Sequence, residues 1–80
     1  MANGRTRPET IVVIGLGRFG TAVATQLQEL GHEVMGIESD ERLVQTASGE
    51  MTYVVQADAT DEAAMRQLGV PDVRHAVVAI

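Results

Sequence analysis

Four short apolar runs punctuate the chain, and between them the apolar residues recur at helical spacing. Ile11, Val12, Val13 and Ile14 form an unbroken β-branched run, the pattern of a strand buried on both faces, as in a parallel sheet. Glycines interrupt it from Gly15 to Gly20. A helical period then starts at Arg18, with Phe19, Val23, Leu27 and Leu30 on one stripe, so Phe19 reads as a core contact. Gly31 stands where a left-handed helix end is wanted. Residues 33–38 read as a second strand. Ser39 or Asp40 can cap the next helix, whose inner face carries Leu43, Val44 and Ala47 and which ends at Gly49. Residues 52–56 form a third strand. Thr60 is placed to cap a third helix, with Asp61 and Glu62 in its first turn and Ala64, Met65 and Leu68 on its buried stripe. Gly69 and Pro71 stop that helix, and residues 75–80 make a fourth strand.

The order is β-α-β-α-β-α-β. Strands that alternate with helices pair in parallel through right-handed crossovers. The predicted fold is therefore α/β and Rossmann-like, the first half of a doubly wound sheet with strand order 3-2-1-4. Residues 1–10 are polar and read as a flexible leader. Residues 11–80 read as one nucleotide-binding subdomain, truncated on its C-terminal side, with an apolar last strand exposed to association.

Composition narrows the possible functions. With 80 residues, 45% of them hydrophobic, 21% charged and a net charge of −5, the chain suits a small folded domain. The acidic balance argues against a nucleic-acid partner, which calls for a basic face, and one phenylalanine and one tyrosine make no platform for stacking bases. Absence of cysteine removes disulfides, thiolate zinc sites and thiol nucleophiles and agrees with a reducing compartment. No apolar run has the ~20 residues of a membrane span, and the expected setting is the cytosol. His32 and His75 are isolated, so no metal site is expected. No arrangement of catalytic side chains is visible.

The chemistry lies in Gly15-Leu16-Gly17-Arg18-Phe19-Gly20, a G-x-G-x-x-G loop. Alone that pattern is weak. Here a strand precedes it, a helix opens within it, and Glu38 ends the following strand 18 residues beyond Gly20, close to the spacing of dinucleotide sites. Gly15 permits the turn out of the strand, Gly17 lets phosphates approach the backbone, and Gly20 lets helix and sheet close up. A diphosphate would meet free N–H groups at the helix N-terminus. Glu38 can accept from both ribose hydroxyls, and its charge disfavours a 2′-phosphate. Arg18, a cation in a first helical turn, is explained by an anion beside it. Asp58 follows the third strand, where it can meet an adenine amino group or a ribose hydroxyl, or simply close a turn.

Ile11 to Gly20, then Leu30-Gly31-His32-Glu33-Val34, then Ala57-Asp58-Ala59-Thr60-Asp61, resemble the N-terminal half of RCK domains (TrkA-N), the regulatory subunits of TrkA/KtrA-type potassium transport. The resemblance covers residues 11–80. It implies a non-enzymatic cytosolic subunit, peripheral to the inner face of the cell membrane. Such a subunit binds ATP or ADP, or NAD or NADH, forms dimers within an octameric ring, and gates a membrane-embedded potassium channel or transporter subunit. By position it implies that the loop residues Gly15, Leu16, Gly17, Arg18, Phe19 and Gly20 hold phosphates, with Arg18 at the terminal one. Glu38, with Ser39 beside it, would hold the ribose, and Asp58 and Ala59 would lie near the adenine. Two alternatives use the same glycines: the cofactor half of an NAD-dependent dehydrogenase, and a dimerisation unit with an empty cleft.

Overall fold

The computed structural model describes residues 9–80; the expectation of a flexible leader falls largely on residues 1–8, outside the described ones. Thr10, assigned to that leader from sequence, belongs to the domain. It is buried, and its hydroxyl donates to Glu33 Oε1 at 2.9 Å.

Strands β1 (Ile11–Ile14), β2 (Val34–Glu38), β3 (Val54–Gln56) and β4 (His75–Val78) alternate with helices α1 (Arg18–Glu29), α2 (Glu41–Ser48) and α3 (Glu62–Leu68). All three pairings are parallel, and the sheet order is β3-β2-β1-β4, as the alternation predicts. Ile11 sits beside Val34 on one side and His75 on the other. β1 is therefore central, which explains its apolar run: Val12 and Val13 point to opposite faces and both are fully buried. On one face Val13, Leu16, Ala24, Val34, Ala47 and Met51 form a cluster that includes side chains of α1 and α2. On the other, Val12, Met35 and Ile37 pack with Met65 of α3.

Element ends follow local chemistry. α1 closes in a left-handed turn at Gly31 (φ 95°), with Gly31 N–H donating to Gln28 O at 2.9 Å and His32 N–H to Leu27 O at 3.1 Å, the paired bonds of a Schellman end. Asp40 caps α2, accepting from Arg42 N–H at 2.8 Å. Further sequence expectations need correction, among them the starts and ends of strands: β2 runs from 34 rather than 33 and β4 stops at 78 rather than 80. Asp61, not Thr60, caps α3, accepting from Ala64 N–H at 3.1 Å. β3 begins at Val54 rather than residue 52, because the Thr52 amide donates to the Gln28 side chain at 3.0 Å instead of joining the sheet ladder. The inward stripe of α1 is Gly20, Ala24 and, in part, Leu27. Phe19 and Leu30, read as core from their spacing, are 68% and 66% exposed. The helix lies too close to β1 for large side chains: a Cβ at Gly20 would fall on the carbonyl oxygen of Gly15.

Candidate functional site

All four strands point their C-terminal ends at one cleft of about 330 Å³. Gly15 and Gly17 form one wall, Glu38 and Ser39 a second, and Asp58, Ala59 and Thr60 a third; Ile14, Ile37, Leu43 and Ile80 add apolar surface. Three sequence segments proposed for ligand contact thus meet in one place.

The glycine loop is shaped from within. Gly15 adopts φ 95°, and a Cβ there would lie 3.0 Å from Ala79 O. Leu16 tucks its side chain into the core at 2% exposure, over Gly36 and Met51. That burial turns the Leu16 amide outward, where it donates to Glu38 Oε1 at 2.7 Å. The other oxygen, Oε2, accepts from Asp40 N–H at 2.9 Å. Each carboxylate oxygen has one backbone anchor, and each retains lone-pair capacity for a ligand hydroxyl. Glu38 therefore stands at the mouth of the loop with its geometry fixed in advance.

Gly17 differs from its neighbours. It is the N-cap of α1, with extended backbone at φ −71° and ψ −161° and no side-chain cap. A Cβ placed on it would meet nothing within 4 Å. No packing inside the chain requires glycine there. The amides of Arg18, Phe19 and Gly20 in the first turn of α1 have no intrahelical partner by position, and that turn contains no acidic residue.

Asp58 forms a tight turn with Thr60. Its Oδ1 accepts from the Thr60 hydroxyl at 2.7 Å and from the Thr60 amide at 2.9 Å. The hydroxyl first, and then the amide, hold the Asp58 carboxyl below its usual range. The turn reading and the cleft position are thus both realised. Thr60, read from sequence as a helix cap, is instead the partner of Asp58, and Leu43, read as core, lines the cleft.

A TrkA-N domain family model matches residues 11–80. The chain belongs to this family. Over 77 residues it is 36% identical to Ktr system potassium uptake protein A of Bacillus subtilis (strain 168), with 96% of this chain and 35% of the relative covered. It is 41% identical over 68 residues to Ktr system potassium uptake protein C of the same organism, covering 85% of this chain and 31% of the relative. To Ktr system potassium uptake protein A of Vibrio alginolyticus it is 34% identical over 76 residues, covering 95% and 34%. The chain spans about a third of the length of these relatives.

The TrkA-N chain does not bring every loop residue into the cleft. Gly20 lies behind the loop, against Gly15. Leu16 and Arg18 line a neighbouring groove of about 450 Å³ with Thr21, Thr25 and Thr46, and this groove shares Gly17 and Leu43 with the cleft. Arg18 is exposed and pairs with no described residue. Phe19 projects to solvent beside it. The sequence pattern finds the loop but does not sort its residues. In the fold, Leu16 is buried, Gly20 faces the Gly15 carbonyl, and Arg18 and Phe19 are exposed. Among the described residues no group of histidines and carboxylates has the placement to hold a metal, and no helix is long and apolar enough to cross a membrane.

Proposed function

We propose that this TrkA-N chain is the nucleotide-sensing unit of a potassium-transport regulator. It takes ATP or ADP, or NAD or NADH, into the cleft beyond the strands. It responds to that ligand as a cytoplasmic homo-oligomer docked on a membrane-embedded potassium channel or transporter subunit. It acts by binding and not by catalysis. The observation that carries this reading is the uncapped start of α1 at Gly17, open to the cleft and with no acidic residue in its first turn. Such a terminus favours an anion through its free amides and its dipole.

The remaining residues take roles around that anion. Glu38, held by the Leu16 and Asp40 amides, receives the ribose hydroxyls and disfavours a 2′-phosphate. Asp58 and Ala59 flank the base. Arg18, exposed beside the loop, answers the terminal phosphate. The potassium-uptake names of the relatives support the regulatory setting. A ligand shifts such a regulator only through unequal affinity for its states, and Arg18 supplies the inequality, since a triphosphate offers it charge that a diphosphate lacks.

The test is a melting-temperature panel with ATP, ADP, NAD, NADH and NADP. Adenine nucleotides with a free 2′-hydroxyl raise the transition as linkage requires, and NADP does so least. A chain that responds to none of them overturns the proposal. By titration calorimetry, Arg18→Ala weakens ATP by about tenfold, the scale of one charge-assisted contact, and ADP by less. Equal losses for both would remove Arg18 from the discriminating role.

A further inference from the structure

Thr60 has no assigned part in ligand recognition, yet its two hydrogen bonds end on the same oxygen of Asp58. Oδ2 of that carboxylate has no hydrogen-bond partner among the described residues, and Asp58 lines the cleft together with Ala59 and Thr60. An ionised carboxylate only accepts hydrogen bonds. A carboxylate free to rotate, or to take up a proton, loses that selectivity, since its protonated form can also donate. Thr60 removes the first freedom by pinning Oδ1 from two directions, and the same two bonds favour the charged form that an exposed carboxylate already has near neutral pH.

We infer that Thr60 is a positioning residue for base selection, fixing Asp58 so that Oδ2 accepts from the 6-amino group of adenine and turns away purines with a 6-oxo group. This rests on the nucleotide reading given above and makes it more specific. Adenine presents an N–H₂ donor at position 6. Hypoxanthine and guanine present a carbonyl oxygen there, which a fixed carboxylate repels. Discrimination of this kind depends on leaving a polar group unpaired when the wrong ligand enters. It weakens when the group can swing aside, so the anchoring of Asp58 matters as much as its charge.

Inosine triphosphate is the direct probe, because it differs from ATP only at the 6 position and in the tautomer that follows from it. Titration calorimetry with ATP and with inosine triphosphate reads the affinity ratio for each variant. The wild-type chain favours ATP by at least about tenfold, a modest value for a polar group left unpaired. Thr60→Val keeps the side-chain shape and the backbone amide but loses the hydroxyl, and the ratio falls at least about threefold. Thr60→Ser, which retains the hydroxyl, holds the wild-type ratio. Asp58→Asn, whose amide can donate to a 6-oxo group, brings the ratio to one or inverts it. A purely structural role for Thr60 would weaken both triphosphates by the same factor in Thr60→Val, and that result overturns the inference. Equal affinity of the wild-type chain for the two triphosphates overturns it as well while leaving nucleotide binding intact. Failure to bind either one overturns the nucleotide reading itself.

Discussion

Three helices start from the same end of the sheet, and two of them start alike. α2 opens with Asp40 as its cap and Glu41 in its first turn; α3 opens with Asp61 and Glu62. Both supply their own negative charge to the N–H groups that a helix leaves unpaired at its start, where the dipole welcomes it. α1 opens with Gly17 and Arg18, with no capping side chain and no acid. It is also the longest of the three, at 12 residues against 8 and 7. A sequence able to cap its two shorter helices leaves the longest one open, beside a cleft. The difference separates helix starts that the chain satisfies for itself from one that is left open to the cleft.

The largest way to break this comparison is to lift α1 off the loop. Gly20→Ala puts a methyl group onto the Gly15 carbonyl oxygen, and the backbone atom it meets is not one that can swing aside. Overpacking of this kind costs on the order of 3 kcal/mol, and in a domain of this size that lowers the melting temperature by more than about 10 °C. Thermal unfolding followed by circular dichroism checks it. An unchanged melting temperature would mean that α1 can sit farther from β1 than the structure has it, and the alignment of its amides with the cleft would lose its basis.

That contact also marks where sequence reading stops. Strand number, strand order and helix positions were legible because β-branched runs and helical periods report burial directly. Gly15, Gly17, Glu38, Ser39, Asp58 and Ala59 were legible as a set because loop spacing and strand ends are local properties, and the cleft gathers them. Phe19 was misread because a hydrophobic period weighs large side chains and is blind to glycine and alanine. Gly20 and Ala24 let α1 close on the sheet, and that closeness turns Phe19 outward. The anchoring of Glu38 by the Leu16 amide joins residues 22 apart in sequence, and no local pattern encodes it. The Asp58–Thr60 turn joins residues only two apart, but Thr60 fits a helix-cap pattern equally well. Asp61 won that position because its carboxylate reaches Ala64 N–H.

A smaller change tests the self-capped side of the comparison. Asp40→Ala removes the acceptor for Arg42 N–H and costs about 1 kcal/mol, the usual value of such a cap. The melting temperature falls by roughly 4–8 °C, less than for Gly20→Ala. Nucleotide affinity barely moves, because the Asp40 contribution to Glu38 comes from its backbone amide, which alanine keeps. A large loss of affinity would show that the α2 cap belongs to the site, and the division between self-satisfied and ligand-facing helix starts would fail.

The smallest effect on stability is the sharpest test, because it gives α1 what α2 and α3 already have. Gly17→Asp places a carboxylate at the N-cap, on backbone already in the extended conformation that caps adopt and with no atom within 4 Å of the new Cβ. The side chain can accept from the Phe19 or Gly20 amide, and its charge suits the helix dipole. The unliganded chain should gain roughly a few tenths of a kcal/mol, the usual difference between an aspartate and a glycine at a cap. Phosphate would then find its amides occupied and a like charge in its place, so affinity for ATP and ADP falls by at least about a hundredfold, or some 2.7 kcal/mol. Stability and affinity move in opposite directions, which general damage to the fold cannot produce. If Gly17→Asp binds ATP as tightly as the wild-type chain, phosphates do not sit at the start of α1, and the open helix end needs another explanation.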